Sequence, residues 1–391
     1  MQLSKDEQKM YYGEMGEATR LSMEILVALG KIYGAKRMIP ITSAQISGVS
    51  YKTIGDAGLD YLKQMVADGA KVRVRSLLNP AGMDRAQWKE MKIPEQFAKK
   101  QIEILDAYAS MGIEMTCTCT PYLVGLRPKL GEHIAWSESS AVSFANSVLG
   151  ARTNREGGPS ALASAICGVT PEYGFHLEEN RISNLVVEVE AELKTASDFG
   201  AMGNFIGKIA KDRNPAFIGI KGNPGEDKLK ALGAAMAASG SVGLFFAKGI
   251  TPEYSVSEKP EKITFTQKDL KETREKLTSF EKPGLITFGC PHASISEIRE
   301  VAELVNGKTL KCDVWVCTAR ATKSLSDQLG YTKTIESAGG RVVADTCMVV
   351  CPLEEMGYKV TGCSSGKAAV YLSSLCKQKV VFGSPEEILC K

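Results

Sequence analysis

Long apolar runs are scarce in this chain of 391 residues. One charge-free stretch, Ala231 to Ala247, is rich in alanine and glycine but is shorter than the roughly 20 apolar residues that cross a membrane. At the amino terminus, Lys5, Asp6, Glu7 and Lys9 occupy the place where a signal peptide has its apolar core. The sequence therefore predicts neither a membrane span nor a secretory leader, and we expect a cytoplasmic protein.

The chain also lacks an excess of charge of one sign. It carries 48 basic and 45 acidic residues, which gives a net charge of +3. Nucleic acids and anionic membranes attract proteins through extended basic surfaces. The composition therefore argues against both as partners. A small anionic substrate needs only a few cations and remains compatible with this balance.

The Cys-x-x-Cys pairs that are typical of zinc sites are missing as well. The 11 cysteines form no Cys-x-x-Cys pair and there are three histidines, which makes zinc a poor candidate. An odd number of cysteines in a reducing compartment also disfavours a disulfide framework. Small buried side chains are all that we expect of Cys167, Cys312, Cys376 and Cys390. Among the histidines, His292 is notable because it lies two residues after Cys290.

Short apolar strands alternate with helical segments along most of the chain. Strands are predicted at 71–75, 113–116, 185–189, 216–220, 285–288, 313–316, 341–344 and 358–361, and helices at 96–111, 140–149 and 160–167. This alternation is typical of α/β domains with largely parallel sheets. A glutamate-rich helical segment before Pro283 indicates a division into an N-terminal α/β region, 1–280, with room for two subdomains, and a C-terminal α/β domain, 281–391.

Three cysteines, Cys119, Cys290 and Cys347, each come shortly after a predicted strand. Because the carboxyl ends of parallel strands share one edge of a sheet, their thiols can meet in one crevice. Three thiolates on separate turns can bind three irons of a cubane cluster and leave a fourth iron open. On spacing alone, buried structural cysteines are the better explanation, and Cys117 and Cys351 compete as ligands.

Polar segments after other strands are candidate substrate contacts. The loop after the strand near residue 40 offers hydroxyls and backbone amides to an anion from Ser43, Gly48, Val49 and Ser50. Local turn hydrogen bonds explain such a loop equally well. Asn79 orients a carboxylate or belongs to an ordinary turn. Arg152 and Arg155 form either an anion clamp or a solvated charged turn.

Several long motifs, taken together, resemble the aconitase X family. They are SAQISGVSYKTIGDAG from Ser43, NPAGMD from Asn79, TCTPY from Thr118, GEHIAWSESSAVSFANSVLGARTNREGG from Gly131, GCPH from Gly289 and DTC from Asp345. The motifs occur in order and extend over nearly the whole chain. The resemblance implies an aconitase-like α/β fold with several parallel or mixed sheets flanked by helices, and a cluster and substrate in a crevice between domains.

For individual residues, the resemblance implies that Cys119, Cys290 and Cys347 bind an iron–sulfur cluster. A [4Fe–4S] form is expected, or [3Fe–4S] after oxidation. It also places the family's Ser/Lys pattern on Ser365 and Lys367, beside the substrate. The residues before this pair, Gly362-Cys363-Ser364, depart from the family pattern, so the contacts of this loop and the ligand choice need a structure.

The resemblance further implies a hydro-lyase. The chain is short for the family branch in which a single chain acts on cis-3-hydroxyproline. It is similar to the large subunit of the branch that dehydrates mevalonate 5-phosphate to trans-anhydromevalonate 5-phosphate, in archaeal isoprenoid synthesis. A small subunit with the swivelling domain is then the partner and carries the base, so no catalytic base is assigned here. The alternatives are a dehydratase of hydroxyproline or another hydroxy acid, and a non-catalytic iron–sulfur or RNA-binding protein, which the balanced charge disfavours.

Overall fold

The computed structural model describes residues 1–279 and 281–389. Its helices and strands form three regions along the chain, and each region has its own parallel sheet. The α/β class predicted from the sequence is confirmed. In the part of the chain that is described, no helix is long and apolar enough to cross a membrane. Cys390, predicted to be a simple buried thiol, lies outside the described residues.

The first region surrounds a three-stranded sheet. Its elements are α1 (Lys5–Tyr11), α2 (Glu17–Ile32), β1 (Met38–Pro40), β2 (Ser43–Ile46), α3 (Tyr51–Ala67), β3 (Arg75–Leu78), α4 (Glu95–Ser110), β4 (Ala135–Trp136), α5 (Ser139–Phe144), α6 (Gly158–Cys167) and β5 (Val169–Pro171). The parallel order is β3-β2-β4, and β1 pairs with β5 antiparallel. Strand β2 is fully buried and shares an apolar core with Leu62, Ile104 and Leu162 of the neighbouring helices.

The second region is a four-stranded parallel sheet with three helices. Its elements are β6 (Ser183–Val189), α7 (Ala196–Ala210), β7 (Pro215–Ile218), α8 (Glu226–Gly240), β8 (Phe246–Ala247), β9 (Val256–Phe265) and α9 (Gln267–Leu277), with strand order β8-β7-β6-β9. Small residues let α7 and α8 pack closely, since a Cβ atom on Gly203 would lie 2.5 Å from the Leu232 carbonyl oxygen. Helix α7 also reaches the third region, where a Cβ on Gly366 would lie 2.4 Å from the Gly200 oxygen.

The third region is a five-stranded parallel sheet. Its elements are β10 (Leu285–Phe288), α10 (Ile295–Val305), β11 (Asp313–Thr318), α11 (Arg320–Gln328), α12 (Tyr331–Ser337), β12 (Arg341–Ala344), β13 (Val360–Cys363), α13 (Gly366–Ser374), β14 (Lys379–Phe382) and α14 (Pro385–Leu389). The strand order is β12-β11-β10-β13-β14. The chain therefore reverses direction across the sheet between β10 and β13. Open parallel sheets bind ligands at such switch points.

Two predicted strands are shifted along the chain, and a third is absent. The strand expected at 71–75 lies at β3 instead, because the buried run Ser76-Leu77-Leu78, and not the exposed KVRVR alternation, pairs with β2. Residues 113–116 form no strand, and only Glu114 makes an isolated bridge, to Leu77. The strand expected at 358–361 is shifted to β13, which places Cys363 inside the strand.

Candidate functional site

The site lies where the carboxyl edges of two parallel sheets face each other. On one side are the turns after β2, β3 and β4, and on the other those after β10, β12 and β13. Hydrogen bonds join the two sides directly. The Ala81 N–H donates to the backbone carbonyl oxygen of Asp345 at 2.8 Å. The Ser50 hydroxyl donates to the backbone carbonyl oxygen of Val350 at 2.8 Å. Residues distant in sequence therefore line one buried crevice.

Three thiols converge in this crevice. The turn that carries Cys119 is held at the ends of β2 and β3, because Thr118 bonds the Leu78 oxygen at 2.9 Å and its own oxygen accepts from Gln45 Nε2 at 3.0 Å. The thiols of Cys290 and Cys347 lie close enough to shift each other's pKa, and Cys347 also affects the pKa of Cys119. All three side chains are buried, and none forms a disulfide. The structure thus brings the three predicted cluster ligands together.

The three thiols differ in acidity. Burial raises the pKa of Cys119 to about 12. The neighbouring Cys290 thiol lowers the pKa of Cys347, and the backbone N–H groups of Val349 and Val350 lower it further. The Cys347 thiol, together with burial, raises the pKa of Cys290. Such neighbouring thiols are soft donors of the kind that iron–sulfur clusters use.

This donor set suits a cluster better than a single ion. Within residues 1–279 and 281–389, no three Cys, His, Asp or Glu side chains are arranged to bind one metal ion. A cluster makes no such demand, because each cysteine binds a different iron. The three thiols therefore fit an iron–sulfur cluster by their chemistry and by their position on three separate turns.

The competing cysteines have other surroundings. Cys117 has a left-handed backbone and lies in the field of Asp345, Arg85 and Arg320. The Cys351 sulfur contacts the Met356 sulfur at 3.7 Å. The Cys363 thiol donates to the backbone carbonyl oxygen of Ser365, two residues further on, at 3.7 Å. The choice of Cys119, Cys290 and Cys347 as cluster ligands stays a prediction.

A buried ion pair lies beside the thiols. Lys367, at the start of α13, contacts the Glu138 carboxylate, and its ammonium lies 3.2 Å from the Ser140 hydroxyl. Burial lowers the pKa of Lys367, but Glu138 and the thiols of Cys290 and Cys119 outweigh burial, so this pKa is raised. Burial raises the pKa of Glu138, but Lys367 outweighs it and that pKa is lowered. Both groups are therefore charged.

The other predicted contacts fall into two groups. Close to the crevice, Ser50 caps α3 and reaches Val350, while the Ser365 hydroxyl donates to the Cys290 oxygen. Asn79 follows β3 and its buried Oδ1 has no hydrogen-bond partner among the described residues. Gly48 has a positive φ of 76° and leads to Val49 and Ser50. Ser43 is instead buried inside β2, where it accepts from Trp136 Nε1 at 3.3 Å.

The two arginines of the predicted clamp differ. Arg152 is buried in ion pairs with Glu178 at 2.6 Å and Glu253 at 2.8 Å, and its guanidinium also donates to the Gly150 carbonyl oxygen at 3.0 Å. Arg155 is exposed and makes no ion pair in the described part of the chain. Of the two arginines, Arg152 is thus already neutralised by carboxylates, whereas the exposed Arg155 is not.

Sequence reasoning missed two partners of the site. Glu138 precedes α5 and caps it, because its carboxylate accepts from the Ala141 N–H at 2.7 Å. In the sequence, its position just before a predicted helix is the one signal that could have indicated it. Asp345 is fully buried with a positive φ of 65° and binds Arg85 at 2.9 Å and Arg320 at 2.5 Å. These arginines hold the turn that leads to Cys347.

Gly289 shapes the turn that carries Cys290. Its φ is +86°, and a Cβ there would lie 1.9 Å from the Cys317 oxygen. Gly289→Ala should lower the free energy of unfolding by more than about 2 kcal/mol, since left-handed strain alone costs about 1–2 kcal/mol. Gly284→Ala, just before the same strand, is the control, because nothing lies within 4 Å of the added Cβ. Denaturant titration measures both, and equal losses would contradict the steric argument.

The fold and the site together define an α/β protein with a buried, cysteine-lined crevice between facing edges of parallel sheets. Family models for the first, second and third domains of aconitase X match residues 1–179, 183–275 and 283–391. The chain belongs to the aconitase X family. The resemblance of its motifs is thereby confirmed.

Individual relatives cover nearly the whole chain. It is 54% identical to the phosphomevalonate dehydratase large subunit of Methanocaldococcus jannaschii, over 100% of the chain and 99% of that protein. It is 56% identical to that of Methanothermobacter thermautotrophicus, over 97% and 96%. The crystal structure of Thermococcus kodakaraensis aconitase X in its holo-form matches 100% of the chain and 99% of its own, with a TM-score of 0.94 and 48% identity. The cis-3-hydroxy-L-proline dehydratase of Pseudomonas aeruginosa is more distant, at 33% identity over 96% of the chain and 67% of that protein.

Proposed function

We propose that the chain is the large subunit of a phosphomevalonate dehydratase, which removes water from mevalonate 5-phosphate to give trans-anhydromevalonate 5-phosphate. The convergence of Cys119, Cys290 and Cys347 beside the charged Lys367–Glu138 pair carries this proposal. The identity of more than half of all residues to proteins of that name supports the substrate. Relatives named for hydroxyproline are markedly less similar.

Cys119, Cys290 and Cys347 would hold an iron–sulfur cluster, expected as [4Fe–4S] and as [3Fe–4S] after oxidation. When bound, such a cluster supplies a Lewis acid that makes hydroxide a better leaving group. The cysteines are buried in a crevice that excludes bulk water. Such surroundings suit a dehydration site, because interactions between charges are stronger where the local dielectric constant is low.

The chain's own residues bind and orient the anionic substrate. Lys367 has three N–H groups, and among its described contacts two reach Glu138 and Ser140. The third can bind the substrate carboxylate, where negative charge grows as the neighbouring proton leaves. The buried Asn79 Oδ1 can accept a hydrogen bond from a substrate hydroxyl, and the turn from Gly48 to Ser50 provides further polar groups.

The proton acceptor is assigned to a partner, the small subunit. Three titratable groups near the thiols already have partners in the described structure. Glu138 pairs with Lys367, both nitrogens of His292 have partners, and Asp345 Oδ2 binds two arginines. The base itself is assigned to a second chain because the resemblance to the family implies it there. The chain by itself should bind the cluster but not turn over substrate.

Anaerobic co-expression with the candidate small subunit, cluster reconstitution and NMR of the products test the proposal. We expect dehydration of mevalonate 5-phosphate only when both subunits and iron are present, and none of mevalonate without phosphate. An iron-loaded pair that ignores mevalonate 5-phosphate would overturn the substrate assignment. Turnover of cis-3-hydroxy-L-proline by that pair would establish the alternative dehydratase.

A further inference from the structure

The imidazole of His292 touches all three cysteine turns at once. His292 belongs to the Cys290 turn, two residues after that cysteine, and is fully buried. Its Nδ1 lies 3.0 Å from the hydroxyl of Thr118, next to Cys119. Its Nε2 lies 3.0 Å from the carbonyl oxygen of Thr346, next to Cys347. One side chain thus joins the three turns that carry the thiols.

The partners of the ring define its hydrogen bonds. The Thr346 carbonyl only accepts, so Nε2 carries the hydrogen and donates it. In that neutral tautomer Nδ1 accepts the hydroxyl hydrogen of Thr118. The Thr118 oxygen in turn accepts from the Thr120 N–H at 3.1 Å. All of these hydrogen bonds can therefore form together only when the three turns keep their present spacing.

The backbone of His292 is tied down as well. Its N–H donates to the Cys119 sulfur at 3.1 Å. Its carbonyl oxygen accepts from Lys230 Nζ of helix α8 at 3.4 Å, and Lys230 also binds Glu297 at 2.5 Å. Because Lys230 is buried in the second region, His292 links that region with the turns of the first and third.

We propose that His292 is a positioning residue, which holds the Cys119, Cys290 and Cys347 turns at the spacing that lets their thiolates bind one cluster. This inference rests on the cluster of the proposed function. It adds the reason why three turns from separate sheets present their sulfur atoms together. Partners that orient metal ligands typically change metal affinity by about 10–100-fold when they are removed.

The test measures cluster retention by the full chain, without any assay of turnover. Wild type, His292→Ala, His292→Gln and Thr118→Val are reconstituted anaerobically, and iron release to a ferrous chelator is timed. His292→Ala should release iron about 10–100-fold faster and Thr118→Val about 10-fold faster. His292→Gln should recover part of the loss, because its amide can still donate to the Thr346 oxygen. The spectrum of the oxidised cluster should broaden in His292→Ala.

His176→Asn is the matched control. His176 is equally a buried histidine, and it bonds His133 at 2.9 Å away from the cysteine turns. Wild-type iron release in the control, with fast release in the His292 variants, supports the proposal. Equal release from all variants, or wild-type release from Thr118→Val, overturns it, even if His292→Ala fails to fold. A wild-type chain that binds no iron refutes instead the proposed cluster itself.

Discussion

Replacing Cys119, Cys290 or Cys347 by serine should abolish dehydration and cluster binding. Each serine removes one soft thiolate from a buried set of three, and a hydroxyl is a poor ligand for iron in a cluster. We expect activity to fall by more than about 100-fold. The loss of a residue that only orients a metal ligand typically lowers activity by about 10–100-fold, and losing a ligand itself is more severe. Iron and sulfide content, measured after anaerobic reconstitution, should fall in parallel with product formation.

Cys117→Ser and Cys363→Ser are the matched controls. Both cysteines are buried near the same turns but face other groups, so both variants should keep the cluster and most of the activity. Loss of the cluster in Cys117→Ser, together with its retention in Cys119→Ser, would show that the ligand assignment is wrong at this turn. The pair is informative because only one residue separates the two thiols.

The second large effect concerns the ion pair of Lys367 and Glu138. Both side chains are buried, at 7% exposure each. Lys367→Met should destabilise the chain by about 3–5 kcal/mol, because it leaves the Glu138 carboxylate buried without its partner. Denaturant titration of the chain, with the cluster state held constant, measures this loss. Activity should fall as well, since the ammonium next to the thiols is gone.

The double variant Lys367→Met with Glu138→Gln separates the two effects. It has no unpaired charge, so most of the lost stability should return. Activity should stay low, because the cation is still missing. A double variant that regains activity together with stability would show that Lys367 acts only through folding.

Much of the third region was predictable from the sequence. Buried apolar strands at 285–288 and 341–344 were followed by polar turns, and parallel strands share one carboxyl edge. The positions of Cys290 and Cys347 on that edge follow from this rule. The proposed division at residue 280 stays a prediction. The structure has three regions, each with its own parallel sheet, and it does not show which regions fold as one unit.

Cys119 shows where such local rules fail. The sequence predicted a strand at 113–116 before it, whereas the structure has only an isolated bridge there. Hydrogen bonds from Gln45 and to Leu78 place its turn. Both residues lie on other strands, and local periodicity contains no information about such partners.

Arg152 shows the same limit for charge. Two arginines in a glycine-bounded turn suggested an anion clamp, but Glu253, a hundred residues further along the chain, neutralises one of them. Whether an arginine is available to a ligand depends on which carboxylates fold against it. That depends on tertiary contacts, and only Arg155 remained exposed.

The sequence by itself determined the α/β class, the family and the three candidate thiols, because buried strands and long ordered motifs are local patterns. Only the tertiary structure decided that these thiols meet, that Glu138 keeps the buried Lys367 protonated, and that His292 contacts all three turns. These are relations between residues that lie far apart in the chain. Their energies come from burial and short-range hydrogen bonds, which exist only after the sheets have packed edge to edge.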